Sequence, residues 1–403
     1  MKRYITSIIL VCMSIVIIGT YYGKKMVSAN DFPNYSIKTL EGHESEIKNV
    51  RLKGTVEKDD ISSNVTITSN ETIYQSQQSF MDRLTGNNEP KIAELKKKHR
   101  SFMRGKQNIY SFYQDEDFIA YAEAVYKFES ANKFMFNIGL LDLASNKEIS
   151  FEHAIPGETS NGLHVLDVQL IHSKLKVVTK NYLYINDEEQ SEVHLYTFDL
   201  ANQKLLNDEV IITPEQMKMG YDVIDTMENT PLQPRKSIVF IKRSDASSQS
   251  GALVNNTEKP VIFEYVYEKN QLETIQLPET LANRVVTSQN YLFGDKLYII
   301  NQDAKGMHVT TFDIRNQSIT NDETFLIHNS DWAGAFPLVI KNDRVYVLGT
   351  SDFEINKTAN LRPQLFIAEL NTGKILYKGE VIPKNPDQKY NTKPFVLHSL
   401  EIK

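Results

Sequence analysis

The chain has 403 residues and a formal net charge of −6, with 45 Lys and Arg residues against 51 Asp and Glu residues. A chain this acidic is a poor candidate for general nucleic-acid binding, which needs a basic surface. Its one cysteine, Cys12, excludes an intrachain disulfide and a cysteine-based metal site.

The N-terminus carries an apolar segment that predicts insertion into a membrane. Lys2 and Arg3 precede an uncharged run of 20 residues over 4–23, which is long enough to span a bilayer as a helix. Val27-Ser28-Ala29 then resembles a small-residue signal-peptidase site. Residues 1–29 are therefore either an uncleaved transmembrane anchor, the alternative we favour, or a signal peptide cut after Ala29. Both alternatives place the following domain on the extracytoplasmic face of the cell membrane, or in the medium if the segment is cleaved.

The segment after the apolar run divides into a tether and a strand-rich domain. Residues 30–46 are expected to form the tether, and residues 47–403 a single β domain. Its first strands are predicted over 48–56 and 64–74, where β-branched residues are frequent.

A helical insertion is predicted at about 89–105, between Pro90 and Gly105. Within it, apolar or aromatic residues recur at helical spacing and would form one packed face. Its basic residues form the only strong positive concentration in an acidic domain. They are candidate contacts to a partner or membrane: Lys96, Lys97, Lys98, Arg100 and Arg104. The competing interpretation is a solvated helix that covers one face of the domain.

The rest of the domain repeats one hairpin pattern, which is clearest over 194–212. An alternating apolar strand ends at a turn, and a second strand follows. Equivalent turns are predicted to start at Asp142, Asp199, Tyr267, Asp313 and Glu369, at intervals of 46–68 residues. A four-stranded repeat of roughly 40–50 residues, enlarged by insertions, is typical of a β-propeller blade.

The turns themselves support this equivalence. Asn146, Gln203 and Gly373 each stand immediately before a lysine, at the position where a short hairpin commonly needs a left-handed residue. Each hairpin also has apolar strand sequences upstream, so that each unit contains four antiparallel strands.

The C-terminal strand predicts how the repeat is completed. Residues 395–403 have no partner nearby in sequence and are expected to complete a sheet with strands from 47–80. The fold class is therefore all-β, a propeller of four-stranded antiparallel blades, with six blades favoured and seven possible. A non-repeating β-sandwich is the alternative.

The sequence contains no recognisable catalytic or metal-binding motif. No histidine pair has metal-ligand spacing, and neither a nucleophile motif nor a glycine-rich phosphate loop is present. No catalytic residue, metal or cofactor is therefore predicted. Asp331 and Trp332, in a loop between two repeats, are candidate ligand contacts, although an aromatic plug is the simpler interpretation.

The apolar N-terminal segment and the five hairpins resemble the membrane-anchored extracytoplasmic β-propeller proteins of Gram-positive bacteria. The resemblance is one of fold and carries no functional residues with it. The absence of a recognisable nucleophile or metal-ligand set favours a non-enzymatic binding or scaffold module that recognises a protein, peptide or cell-envelope component. The alternative is an extracytoplasmic hydrolase or lyase with its site in the propeller channel.

Overall fold

A computed structural model describes most of the chain. The described residues are 10, 12–17, 19–20, 32–58, 61–78, 90–127, 134–156, 162–185, 188–213, 222–227, 232–244, 259–303, 306–325, 337–349, 363–385 and 396–402. Two compact units are distinguished: the first comprises residues 1–87, 302–309 and 322–403, and the second comprises residues 88–301 and 310–321.

The secondary structure is almost entirely β. The N-terminal strands are β1 (Tyr35–Gly42), β2 (Val50–Lys58), β3 (Ile61–Thr68) and β4 (Thr72–Tyr74). They are followed by β5 (Phe112–Gln114), β6 (Phe118–Tyr126), β7 (Phe134–Asp142), β8 (Glu148–Ala154), β9 (Gly162–Ile171), β10 (Lys174–Ile185), β11 (Glu188–Asp199) and β12 (Lys204–Ile212). Next are β13 (Asp222–Thr226), β14 (Ser237–Ser244), β15 (Val261–Val266), β16 (Gln271–Ile275), β17 (Gln289–Phe293), β18 (Lys296–Asp303), β19 (Gly306–Asp313) and β20 (Ser318–Phe325).

The last strands are β21 (Leu338–Lys341), β22 (Arg344–Gly349), β23 (Gln364–Glu369), β24 (Ile375–Pro383) and β25 (Val396–Ile402). From residue 32 onward, the described helices are α1 (Pro90–Lys98) and α2 (Glu279–Thr287), with short 3₁₀ segments at Glu44–Ile47, Gln75–Gln77 and Ile109–Ser111.

The described strands form six sheets, five with four strands and one with five. Their orders are β25-β2-β3-β4, β5-β6-β7-β8, β9-β10-β11-β12, β13-β14-β15-β16, β17-β18-β19-β20 and β21-β22-β23-β24-β1. Every pairing for which the register is resolved is antiparallel. Sheets of this kind, repeated along the chain, constitute the predicted propeller-like all-β fold, and the described ranges contain no seventh sheet.

Neighbouring sheets within each unit bury apolar side chains against one another. In the second unit, Phe136 of β7 and Leu175 of β10 belong to one buried cluster, and Leu195 of β11 and Phe240 of β14 to the next. A single four-stranded sheet cannot bury both of its faces, so repetition of the sheets is what gives each one a core.

The two ends of the chain build one sheet, as the sequence predicts. Strand β25 pairs with β2 from Val50↔Ile402 to Thr55↔Val396. Leu52 and Leu397 are almost fully buried in the cluster beneath this sheet. The C-terminal strand is therefore part of a core, although it has no partner near it in sequence.

The hairpin turns have the predicted chemistry. Asn146, Gln203 and Gly373 all have positive φ, between 55° and 66°. In two of these turns a carboxylate accepts a backbone N–H, from Ser145 to Asp142 at 2.8 Å and from Asn202 to Asp199 at 3.0 Å. Backbone and side-chain hydrogen bonds from Ser145 hold the pKa of Asp142 below its usual value, and the side-chain amide and backbone N–H of Asn202 do the same for the pKa of Asp199.

One equivalence in the repeat was wrong by a single residue. The left-handed residue of the third hairpin is Asn270, with φ 50°, and β15 ends at Val266. In the other hairpins the left-handed residue follows the strand end by four positions, so Val266 rather than Tyr267 is the equivalent residue. Val266 has no carboxylate, which is why this turn was hard to align by sequence.

Part of the expected tether is a strand instead. Strand β1 lies within residues 30–46 and pairs with β24 from Tyr35↔Pro383 to Gly42↔Tyr377. Tyr35 N–H also donates to Thr72 Oγ1 at 2.8 Å, and the Tyr74 hydroxyl donates to the Pro33 carbonyl at 2.6 Å. The segment therefore links two sheets of the first unit, and its alternating sequence YSIKTL could have indicated a strand.

The helical insertion is confirmed over Pro90–Lys98, and turns follow it as far as Gly105, where φ is 79°. Helix α2 was not predicted. Its Leu281 and Val285 are fully buried at a spacing of four residues, a signal too short to stand out beside the surrounding strands.

The predicted N-terminal membrane segment lies largely outside the described residues. Within the described part of the chain, no helix is long and apolar enough to cross a membrane.

The pairing of the two chain ends depends on Gly54. A Cβ at Gly54 would lie 2.3 Å from the Val396 carbonyl oxygen, whereas one at Gly162 would approach nothing closer than 3.4 Å. We expect Gly54→Ala to lower the free energy of unfolding by roughly 1–3 kcal/mol through overpacking. Urea denaturation of this variant and of the control Gly162→Ala tests the expectation, and equal unfolding midpoints would contradict it.

Candidate functional site

Helix α1 is anchored by one apolar side. Ile92 and Leu95 are buried together with Phe102 from the turns that follow, in a cluster that includes Ile119 and Tyr121 of β6. The predicted helical spacing is therefore confirmed for Ile92 and Leu95, whereas Phe102 joins their cluster from a turn beyond the end of the helix. Because the apolar side of α1 is packed in the core, the opposite side of the helix is held in a fixed position.

The predicted contact residues divide into two groups. Lys97, Arg100 and Arg104 are exposed, and we refer to these three as the basic surface. Lys98 is also exposed but forms an ion pair with Glu94 at 2.7 Å, and Lys96 is half-buried. Lysines in the last turn of a helix also complement its dipole, so Lys96, Lys97 and Lys98 have a structural role beside any binding role.

Lys106 is a basic residue that the fold removes from the exposed surface. Its Nζ lies 4.4 Å from the ring centroid of Phe102 and 5.1 Å from that of Tyr121. Burial lowers its pKa, and the nearby carboxylates of Glu148 and Glu123 oppose that change. Lys106 therefore stabilises the packing of the insertion.

The other predicted site, Asp331 and Trp332, lies outside the described residues. Its proposed role as a ligand contact stays a prediction. For the described residues, no group of three or more His, Cys, Asp or Glu side chains is arranged to hold a metal ion.

A partly buried ionic network in the second unit was not predicted. His194 of β11 is bonded through Nδ1 to Asp208 Oδ1 at 2.7 Å and through Nε2 to Glu192 Oε1 at 2.5 Å. Its ring stacks on Tyr196, with centroids 5.5 Å apart and the planes 11° from parallel. Asn181 of β10 donates to the Tyr196 hydroxyl at 3.0 Å. The network therefore occupies the same face of the sheet as Tyr196.

The two carboxylates determine the charge of His194. Burial opposes the protonated form, but the hydrogen bonds to Asp208 and Glu192 and the charges of both outweigh it and raise the pKa of His194 to about 9. Burial also raises the pKa of Tyr196. At neutral pH the imidazolium is therefore a fixed positive charge between two negative ones, an arrangement that stabilises the sheet and does not suit proton transfer near pH 7. In the sequence, only the alternation of Glu192, His194 and Tyr196 along β11 indicated this ionic network.

A second unpredicted feature is a polar cavity of about 190 Å³ on the sheet β25-β2-β3-β4. Its polar lining comes from β2, β3 and β25 and from the 3₁₀ segment after β4 and the residue that follows it, and comprises Lys53, Asn64, Thr66, Gln75, Gln78 and His398. Because His398 is far in sequence from the other lining residues, only the pairing of β25 with β2 brings them together.

Comparison with known proteins identifies no family. No family description and no curated protein matches the chain. Among solved structures, it is similar to YjhT, with 12% identity, a TM-score of 0.33 and coverage of 64% of this chain and 79% of that one. It is also similar to a protein of unknown function from Bacteroides caccae, with 9% identity, a TM-score of 0.29 and coverage of 92% and 98%.

A third similar structure belongs to a prolyl endopeptidase studied for inter-domain dynamics in catalysis and specificity. The identity is 10%, the TM-score is 0.35, and 83% of this chain is covered. This chain spans 42% of the length of that one.

His194 makes the stability of the protein depend on pH. Because its pKa in the folded protein lies above the usual 6.5, its stabilisation is complete below about pH 6.5 and is lost as the pH rises through about 9. The two pKa values correspond to at most roughly 3 kcal/mol. Urea denaturation of the protein between pH 6.5 and 9.5 should show this loss, which should be absent in His194→Gln.

The exposed His164 provides the control, because His164→Gln should retain the pH dependence of the unaltered protein. If the His194→Gln variant and the unaltered protein lose stability in parallel over this range, the assignment of charge to His194 is wrong.

Proposed function

We propose that the protein is a non-enzymatic binding module held at the extracytoplasmic face of the membrane by its N-terminal segment. In this proposal the basic surface of Lys97, Arg100 and Arg104 recognises an anionic component of the cell envelope. The observation that supports the proposal is the exposure of these three cations, Lys97 on α1 and Arg100 and Arg104 in the turns that follow, on a segment whose apolar side chains are packed in the core.

Fixed geometry matters because it lowers the cost of binding. A partner that meets this packed segment of helix and turns does not have to order it, so less of the interaction energy is lost to conformational entropy. Near an anionic surface each Lys or Arg contributes about 1 kcal/mol, so three together contribute roughly 3 kcal/mol. The net charge of −6 opposes attraction of anions to the protein as a whole. Attraction of anions would therefore be confined to the basic surface.

The membrane location rests on the sequence of residues 1–29. The apolar run and the small-residue site at Val27-Ser28-Ala29 support either an anchor or a cleaved signal. Under both alternatives the basic surface would face the cell envelope, where anionic polymers and headgroups are its natural counterparts.

Replacing the three cations tests the proposal directly. We expect the triple variant Lys97→Gln, Arg100→Gln and Arg104→Gln to bind immobilised poly(glycerol phosphate) up to about a hundredfold more weakly than the unaltered protein, since roughly 3 kcal/mol of attraction is removed. The measurement is the salt concentration that elutes the full chain in a non-ionic detergent, because salt screens these contacts.

A variant with the same net charge provides the control. Lys147→Gln, Lys204→Gln and Lys374→Gln remove three exposed lysines from the hairpin turns and should leave retention nearly unchanged. Equal loss of retention in both triple variants would show that only net charge matters, and the proposed recognition surface would then be abandoned.

A further inference from the structure

The polar cavity has the size of a small ligand. Its volume of about 190 Å³ is far above the roughly 10–15 Å³ that a cavity needs to hold one water molecule. It lies on the face of the sheet opposite to the buried side chains Leu52, Ile67 and Tyr74, so filling it does not require the core to move.

A β-bulge places His398 at this cavity. Lys53 is opposite Ser399 and Gly54 is opposite Leu397, which leaves His398 as the extra residue of β25. Bulges turn side chains out of the regular alternation and are common beside binding sites. The absence of a side chain at Gly54 lets the bulged strand approach closely enough for this arrangement.

The cavity presents polar groups that are available to a ligand. Asn64 Nδ2 donates to Gln75 Oε1 at 3.1 Å, which orients both amides. Thr66, Gln78 and His398 make no side-chain hydrogen bond to any of the residues that the structure describes. Together these groups offer both donors and acceptors within one small space.

The charge at the cavity is already balanced. The Lys53 ammonium forms an ion pair with the Glu401 carboxylate. A ligand with a negative charge would have to compete with Glu401, and a cation would be repelled by Lys53. The lining therefore favours a neutral ligand, and its polar character disfavours an apolar one.

We propose that this cavity binds a neutral, hydroxyl-rich ligand of monosaccharide size. Hydroxyl groups both donate and accept, as do the amides and the imidazole that line the cavity, and Ile73 supplies an apolar contact for a ring face. The inference does not rest on the function proposed above, because the cavity and the basic surface share no residue.

The test uses the full chain in a detergent without a sugar headgroup, with N-acetylglucosamine and galactose as neutral probes and glucuronate as a charged probe of similar size. Saturation-transfer NMR should show saturable binding of at least one neutral probe, and weaker binding of glucuronate. The double variant Gln78→Ala and His398→Ala should weaken the binding at least tenfold. Both side chains are solvent-accessible and make no hydrogen bond within the described residues, so the fold should survive.

The control Gln107→Ala removes an exposed amide elsewhere in the chain and should leave sugar binding unchanged. The thermal unfolding midpoint of each variant shows whether its fold is retained. The proposal is overturned if neither neutral probe binds, if the double variant binds as tightly as the unaltered protein while remaining folded, or if glucuronate is preferred over the neutral sugars.

Discussion

The pairing of β25 with β2 is the constraint on which the first unit depends. It joins residues separated by more than three hundred positions, so its contacts form only after a large loss of chain entropy. The buried side chains of Leu52, Leu397 and Leu400 supply the compensating apolar contact. The strand β1 adds a second connection of the same kind, since it extends the sheet of β21–β24 while Tyr35 and Thr72 are hydrogen-bonded. Strands β1 and β2 near the start of the described β domain and β25 at its C-terminal side therefore share one core.

The regular part of this fold could be predicted because it is encoded locally. A strand that ends at Asp142 or Asp199, followed four residues later by a left-handed Asn or Gln, specifies a hairpin from a few adjacent residues. The C-terminal strand could be assigned only by elimination, since nothing near residues 396–402 could pair with it. Helix α1 could be predicted because Ile92 and Leu95 keep helical spacing within a chain of strands, although the helix ends at Lys98 and Phe102 joins the same cluster from the turns that follow.

The candidate sites were harder to predict because they depend on contacts between distant segments. The exposure of Lys97 followed from the helical pattern, but the burial of Lys106 depended on Tyr121, which only the fold brings near. His194 is charged because β12 places Asp208 beside it, and a lone histidine in a strand gives no sign of that. The cavity was the hardest site to predict. Lys53 and His398 are far apart in sequence, and the bulge that directs His398 toward the cavity exists only when β2 and β25 are paired.

The most direct test of this account is a cross-link between the chain ends. Thr55 and Val396 are directly paired, so cysteines at these positions, in a Cys12→Ser background, lie within disulfide reach. The account predicts that oxidation joins the termini in Thr55→Cys/Val396→Cys, visible as a mobility shift on a non-reducing gel that reductant reverses. It predicts no such bond in Thr55→Cys/Glu401→Cys, where Glu401 is instead opposite Arg51. Equal cross-linking of both pairs, or of neither, would contradict the proposed register and with it the cavity that the two ends create.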